Sequence, residues 1–170
     1  MPDVTIERRL LDGHLVTKQR KLVGHAARFS TPTRIANEFT ETIAPGAFRN
    51  TLRSKADVLA LVDHDPSRLL GRTRNDTLKL SEDDLGLSFE IQLPDTTEGR
   101  DILALAERGD LGGMSFGFRA AQGGEFWNTK RDERTLTNVD LIEVSVVSAF
   151  PAYPQTSVAA RSQQPQHASR

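Results

Sequence analysis

GDLGGMSFGFRA, residues Gly109 to Ala120, sets four glycines around one serine, Ser115. Met114, Phe116 and Phe118 alternate with Ser115, Gly117 and Arg119. A period of two is the mark of a strand with one buried face. The stretch reads as a strand that sends bulky groups into a core and keeps a thin face around Ser115. Glycines permit close backbone approach and unusual dihedrals. Either tight internal packing or an approaching substrate backbone accounts for that thin face.

The flanking sequence fixes the context. Asp95 to Arg108, DTTEGRDILALAER, reads as a helix. Asp95 is placed to cap it, Glu98 stands three residues later and Gly109 is placed to stop it. Ile102, Leu105 and Ala106 give it one apolar face. Before it, Leu87, Phe89, Ile91 and Leu93 alternate with Ser88, Glu90 and Gln92, a half-buried strand. After the serine stretch, EFWNTKRDERTLTNV reads as a polar hairpin or loop anchored by Phe126 and Trp127. DLIEVSVVSAF then reads as a strand rich in Val and Ile.

Further strands are expected at Lys21 to Phe29, Ala56 to His64, Leu69 to Thr73 and Leu78 to Ser81, with Pro66 closing the second. Pro45 is suited to the first turn of a second helix continued by AFRNTL. The expected fold class is mainly β with helices (β or α+β), as a small β-barrel surrounded by helices. Residues 1–160 read as one domain and 161–170 as a polar, disordered tail.

Composition narrows the function classes. A chain of 170 residues with 37% hydrophobic and 26% charged residues can bury a real core. A formal net charge of −1 argues against nucleic-acid or membrane binding driven by bulk electrostatics. With no cysteine and four scattered histidines, no metal-ligand cluster is expected, nor any cofactor. No stretch has the length and apolarity of a signal peptide or a membrane span.

Three residues carry candidate chemistry. His64 lies between Asp63 and Asp65 at the end of an apolar strand. With a reference pKa of about 6.5, a histidine can serve as general base near neutrality. Taken alone it reads more readily as an ordinary strand-end histidine, exposed or hydrogen-bonded. Ser115 is a nucleophile only if a base takes its proton, with backbone N–H groups steadying the oxyanion; otherwise it is a small residue in a crowded strand. The letters G-M-S-F-G match the α/β-hydrolase elbow expression. Their context does not, because the elbow needs strand–turn–helix and here the helix comes first. Glu143 sits among apolar neighbours in LIEVSVV, where an ionised carboxylate is costly unless paired. A histidine N–H would pair it; so would Arg68, Arg72 or Arg119.

The order and spacing of several segments resemble one family, the prohead (head-maturation) serine proteases of tailed bacteriophages. That family is related in fold to the herpesvirus capsid maturation protease (assemblin). The segments are ETIAPGAF at Glu41 to Phe48, LVDHDPSRLLGRT at Leu61 to Thr73 and GLSFEIQLPDT at Gly86 to Thr96. GDLGGMSFGF at Gly109 to Phe118 and LIEVSVVSAFPAYPQT at Leu141 to Thr156 complete them.

The resemblance implies a serine endopeptidase with His64 as base and Ser115 as nucleophile. For the third member Glu143 matches best, Asp140 is the runner-up, and Asp63 or Asp65 is a further alternative. Apart from the resemblance, Arg119 shares a strand face with Ser115 and is a candidate to assist the oxyanion through a water, or else a solvated arginine. The implied substrates are the scaffold or the scaffolding region of the major capsid protein, and the protease itself, with a possible homo-oligomer. The implied place is the bacterial host cytoplasm, inside the assembling procapsid of a phage or prophage. The competing class is a non-catalytic capsid assembly or scaffolding module on the same fold.

Overall fold

The computed structural model describes residues 5–11 and 16–149, together with the backbone of 159–162. Among the described residues the chain is mainly β, with two α-helices and a single 3-10 turn at Thr73–Asn75, as its patterning implies. In chain order the first strands are β1 (Glu7–Leu11), β2 (Val16–Lys18), β3 (Lys21–Arg28), β4 (Thr33–Ile35) and β5 (Phe39–Ile43). Helix α1 (Arg49–Ser54) is followed by β6 (Leu59–Val62), β7 (Asp65–Arg72), β8 (Leu78–Glu82) and β9 (Gly86–Gln92). Helix α2 (Thr97–Arg108) precedes β10 (Gly113–Ala120), β11 (Glu125–Trp127), β12 (Glu133–Leu136), β13 (Val139–Val147) and β14 (Ala159–Ser162).

These strands pair into three sheets. The largest has the order β14-β1-β10-β13-β6-β7, and the others are β11-β12-β5-β4 and β2-β3-β9-β8. Where a barrel is expected from the sequence, the ladders of these three sheets do not close into a ring among the described residues. β14 pairs in parallel with β1 and carries Arg161 and Ser162, the first two residues of the expected tail. Residues 163–170 lie outside the described residues.

Alternation on the large sheet separates a core face from a site face. Met114, Phe116 and Phe118 of β10, Val144 and Val146 of β13, and Ala60 and Val62 of β6 all join the core. Phe116 meets Phe48 edge-on with ring centroids 5.6 Å apart, and Phe48 continues to Phe29. Such pairs add to the area they bury. Ser115 and Gly117 alternate with these core residues on β10, and Glu143 and Ser145 stand opposite them on β13.

Some local expectations need correction. Helix α2 ends as read, with Gly109 at φ 80° donating its N–H to the Ala106 carbonyl. Its N-cap is Thr96, whose hydroxyl accepts from the Gly99 N–H, while Asp95 pairs with Arg100. Asp95 is one residue too early to reach that donor. Pro45 does not open α1: two overlapping turns, with Ala47 donating to Ala44 and Arg49 to Gly46, occupy that stretch. Trp127 is an anchor, 4.9 Å from the Phe39 ring at a steep angle, but Phe126 is 67% exposed and anchors nothing. On β11 the two side chains point to opposite faces.

A buried ionic cluster joins two sheets. Arg9 of β1 binds Glu41 of β5 through both carboxylate oxygens, at 2.7 and 3.0 Å. Arg134 of β12 binds Glu7 and reaches the same Glu41. Arg9 is 1% and Glu41 3% exposed. Charges this deep persist only when paired. Burial works against the Glu7 carboxylate ionising, but the Arg134 hydrogen bond and the Arg9 and Arg134 charges outweigh it and hold its pKa below the usual 4.5.

Candidate active site

The site forms where the tip of one hairpin meets the site face of the large sheet. Asp63 and His64 are the whole turn between β6 and β7, since Val62 pairs with Asp65. Both have positive φ, 51° and 60°. Two-residue hairpins of the I′ kind require this at both positions, and Asp and His tolerate it better than most residues. His64 thus sits in the turn itself rather than at a strand end. Pro66 does not close the pairing either. The register jumps from Val62 with Asp65 to Leu61 with Leu69, so Pro66 to Arg68 bulge out of the ladder. A proline there removes no ladder bond.

The turn is anchored on both sides. Asp63 receives the Ser148 backbone N–H at 2.9 Å and the Ser148 hydroxyl at 2.5 Å, and donates its own N–H to Val146. Arg68 approaches Asp63 at 3.4 Å and binds Glu98 of α2 at 3.0 Å. Asp65 accepts from the backbone and hydroxyl of Ser67. Both flanking aspartates are therefore engaged away from the imidazole.

The imidazole lies between the other two candidates. His64 Nε2 is 2.9 Å from Ser115 Oγ, and Nδ1 is 2.5 Å from Glu143 Oε1 and 3.1 Å from Oε2. A carboxylate is an acceptor only, so Nδ1 carries the hydrogen and Nε2 is left to accept from the serine hydroxyl. Ser115 is 3% exposed. Glu143 has found a histidine rather than an arginine: Arg68 is taken by Glu98, Arg72 binds Asp57, and Arg119 stands opposite Asp140 across the ladder. Asp140, the runner-up for the acidic position, is exposed on β13, and the carboxylate that reaches His64 is that of Glu143. Arg119 lies four residues beyond Ser115 on β10, about 14 Å along a strand rising about 3.4 Å per residue.

The glycines serve the chain's own packing. A Cβ at Gly117 would lie 3.1 Å from Glu143 Oε2, and one at Gly112 would lie 3.0 Å from the Ala149 carbonyl. Gly112 donates its N–H to Val147 at 2.8 Å, so that group is not spare for an oxyanion. The thin face of β10 thus admits the Glu143 carboxylate. Sequence reasoning missed Ser145, directly opposite Ser115. Its hydroxyl accepts from the His64 backbone N–H at 3.0 Å and donates to Glu143 Oε1 at 2.6 Å. Only its place two residues after Glu143, on the same strand face, hinted at it.

Among the described residues, no group of three or more His, Cys, Asp and Glu could hold a metal ion. No helix there is long and apolar enough to cross a membrane.

This hydroxyl–imidazole–carboxylate line is the arrangement of a serine hydrolase. The family model of the caudovirus prohead serine proteases matches residues 5–170. The chain belongs to that family. Among solved structures, the bacteriophage T4 capsid assembly protease, gp21, is similar in fold, with a TM-score of 0.56 at 10% identity. The likeness covers 84% of this chain and 96% of that one. A search of curated proteins gave no match.

Proposed function

We propose that this prohead-protease chain is an active serine endopeptidase in which Ser115 attacks, His64 moves the proton and Glu143 holds the imidazole. The observation that carries this is the continuous line from Ser115 Oγ through His64 to Glu143, at 2.9 and 2.5 Å. Nε2 takes the hydroxyl proton as Oγ attacks a peptide carbonyl, and later gives it to the leaving amine. Glu143 keeps the proton on Nδ1 and offsets the positive charge that His64 gains. Water then releases the acyl-enzyme.

Family membership supports a substrate inside the assembling capsid: the scaffold, the scaffolding region of the major capsid protein, or the protease itself. The herpesvirus-protease likeness of the barrel belongs to the same reading. Co-expression with the capsid and scaffold genes of the same genome tests it. Wild type should shorten a capsid or scaffold protein, and Ser115→Ala should leave every mass full-length, a loss of several orders of magnitude. Full-length proteins with wild type, in normally formed shells, would instead support a non-catalytic assembly module.

A further inference from the structure

We infer that Ser145 is a positioning residue for the proposed triad, tying the base and the acid to one hydroxyl. The inference rests on the reading of Ser115, His64 and Glu143 given above. Ser145 is completely buried and directly faces Ser115 across the β10–β13 ladder.

Its bonding leaves one arrangement. The His64 backbone N–H can only donate, so the hydroxyl accepts there, at 3.0 Å. The hydroxyl has a single proton, and ionised Glu143 can only accept, so that proton goes to Oε1, at 2.6 Å. Oε1 is also the oxygen 2.5 Å from His64 Nδ1. One hydroxyl therefore fixes two things. It sets which carboxylate oxygen faces the imidazole. It also pins the backbone of a histidine held at φ 60°. A non-glycine residue in that conformation persists only where its surroundings over-determine it. Without Ser145, the Glu143 carboxylate has one fewer donor and the turn has one fewer anchor beside the ring. Asp63 and Ser148 still hold the far side of the turn.

A role in positioning differs from plain structural support, and Thr51 supplies a matched comparison. The Thr51 hydroxyl of α1 is also buried against β13, donating to the Val139 carbonyl and accepting from the Leu141 N–H, and none of its hydrogen bonds is to a triad residue. The test compares Ser145→Ala, Ser145→Cys and Thr51→Val in the co-expression system, with the low-field NMR resonance of the His64 Nδ1 proton recorded on each purified chain. Ser145→Ala should slow cleavage about tenfold or more, since small misplacements at a reacting centre are costly. It should also move the Nδ1 proton resonance. Thr51→Val should lower the melting temperature but leave the resonance and the cleavage rate near wild type. Should Ser145→Ala fail to fold, Ser145→Cys fills the same space with a weaker donor and should show the same slowing. Wild-type cleavage with an unmoved resonance in a folded Ser145 variant overturns the inference and leaves the triad standing. Equal cleavage by wild type and Ser115→Ala would remove the triad, and this inference with it.

Discussion

Replacing Gly117 by alanine should damage activity far more than stability. The added methyl would sit 3.1 Å from Glu143 Oε2, 3.3 Å from its Cδ and 3.4 Å from Ile6 Cγ2. Contacts this short are relieved by shifts of a few tenths of an ångström. The carboxylate has little freedom to give, because Oε1 is held by His64 and Ser145 together. Overpacking of this kind costs about 1–3 kcal/mol, and alanine returns about 0.5–1 kcal/mol over glycine within a strand. The net loss of about 0–2.5 kcal/mol lowers the melting temperature by no more than about 10 °C for a chain of this size. The rate is more sensitive. A displacement of about 1 Å can cost a hundredfold, so a few tenths should cost about three- to tenfold. Cleavage time courses in co-expressed particles, set beside thermal melts of the purified chain, measure both. A folded Gly117→Ala variant that cleaves at the wild-type rate would refute the argument that the thin face of β10 exists for Glu143.

Two further expectations concern the ionic cluster. Glu41→Gln should destabilise the chain by less than the about 3–5 kcal/mol of a wholly unpaired buried charge, because the buried Arg9 keeps Glu7, at 2.9 Å, as its remaining counter-charge; an unchanged melting temperature would contradict this. Glu7 titrates below its usual 4.5, so its pairing with Arg134 and Arg9 contributes stability above that value, which is lost as pH falls through the lower folded pKa. Glu7→Gln should therefore be less stable at neutral pH and lose less on acidification below about pH 4.5. Parallel acid unfolding curves for the two proteins would show that Glu7 contributes no such dependence.

The parts legible in the sequence were those where one short pattern decides. The alternation through Phe89 and Ile91 gave β9, that around Ser115 gave β10, and Gly109 marked the end of α2. His64, Ser115 and Glu143 stood out through the motifs that carry the family resemblance, and the structure sets His64 in contact with each of the other two. What stayed hidden depends on distant partners. β1 contains Arg9, which reads as a surface residue until Glu41 is folded against it. The short strands β4 and β5 carry Thr, Arg and Glu; they pair with each other, and β5 is joined on its other side by β12, far along the chain. Pro66 reads as a terminator because no local pattern announces a three-residue bulge. Ser145 reads as one more small strand residue, since its two partners are a backbone N–H from a remote turn and a carboxylate two positions away.

The order of the large sheet also bears on timing during synthesis. The Ser115 strand β10 lies between β1, early in the sequence, and β13, late in it. His64 is 51 residues from Ser115 and 79 from Glu143, and the Glu7–Arg134 pair spans 127. Contacts this remote in sequence form late and make folding slow. A ribosome-bound or truncated chain that lacks β13 has neither the acid nor the neighbour of the serine strand. On the proposed reading, topology alone withholds the complete site from every chain that lacks β13.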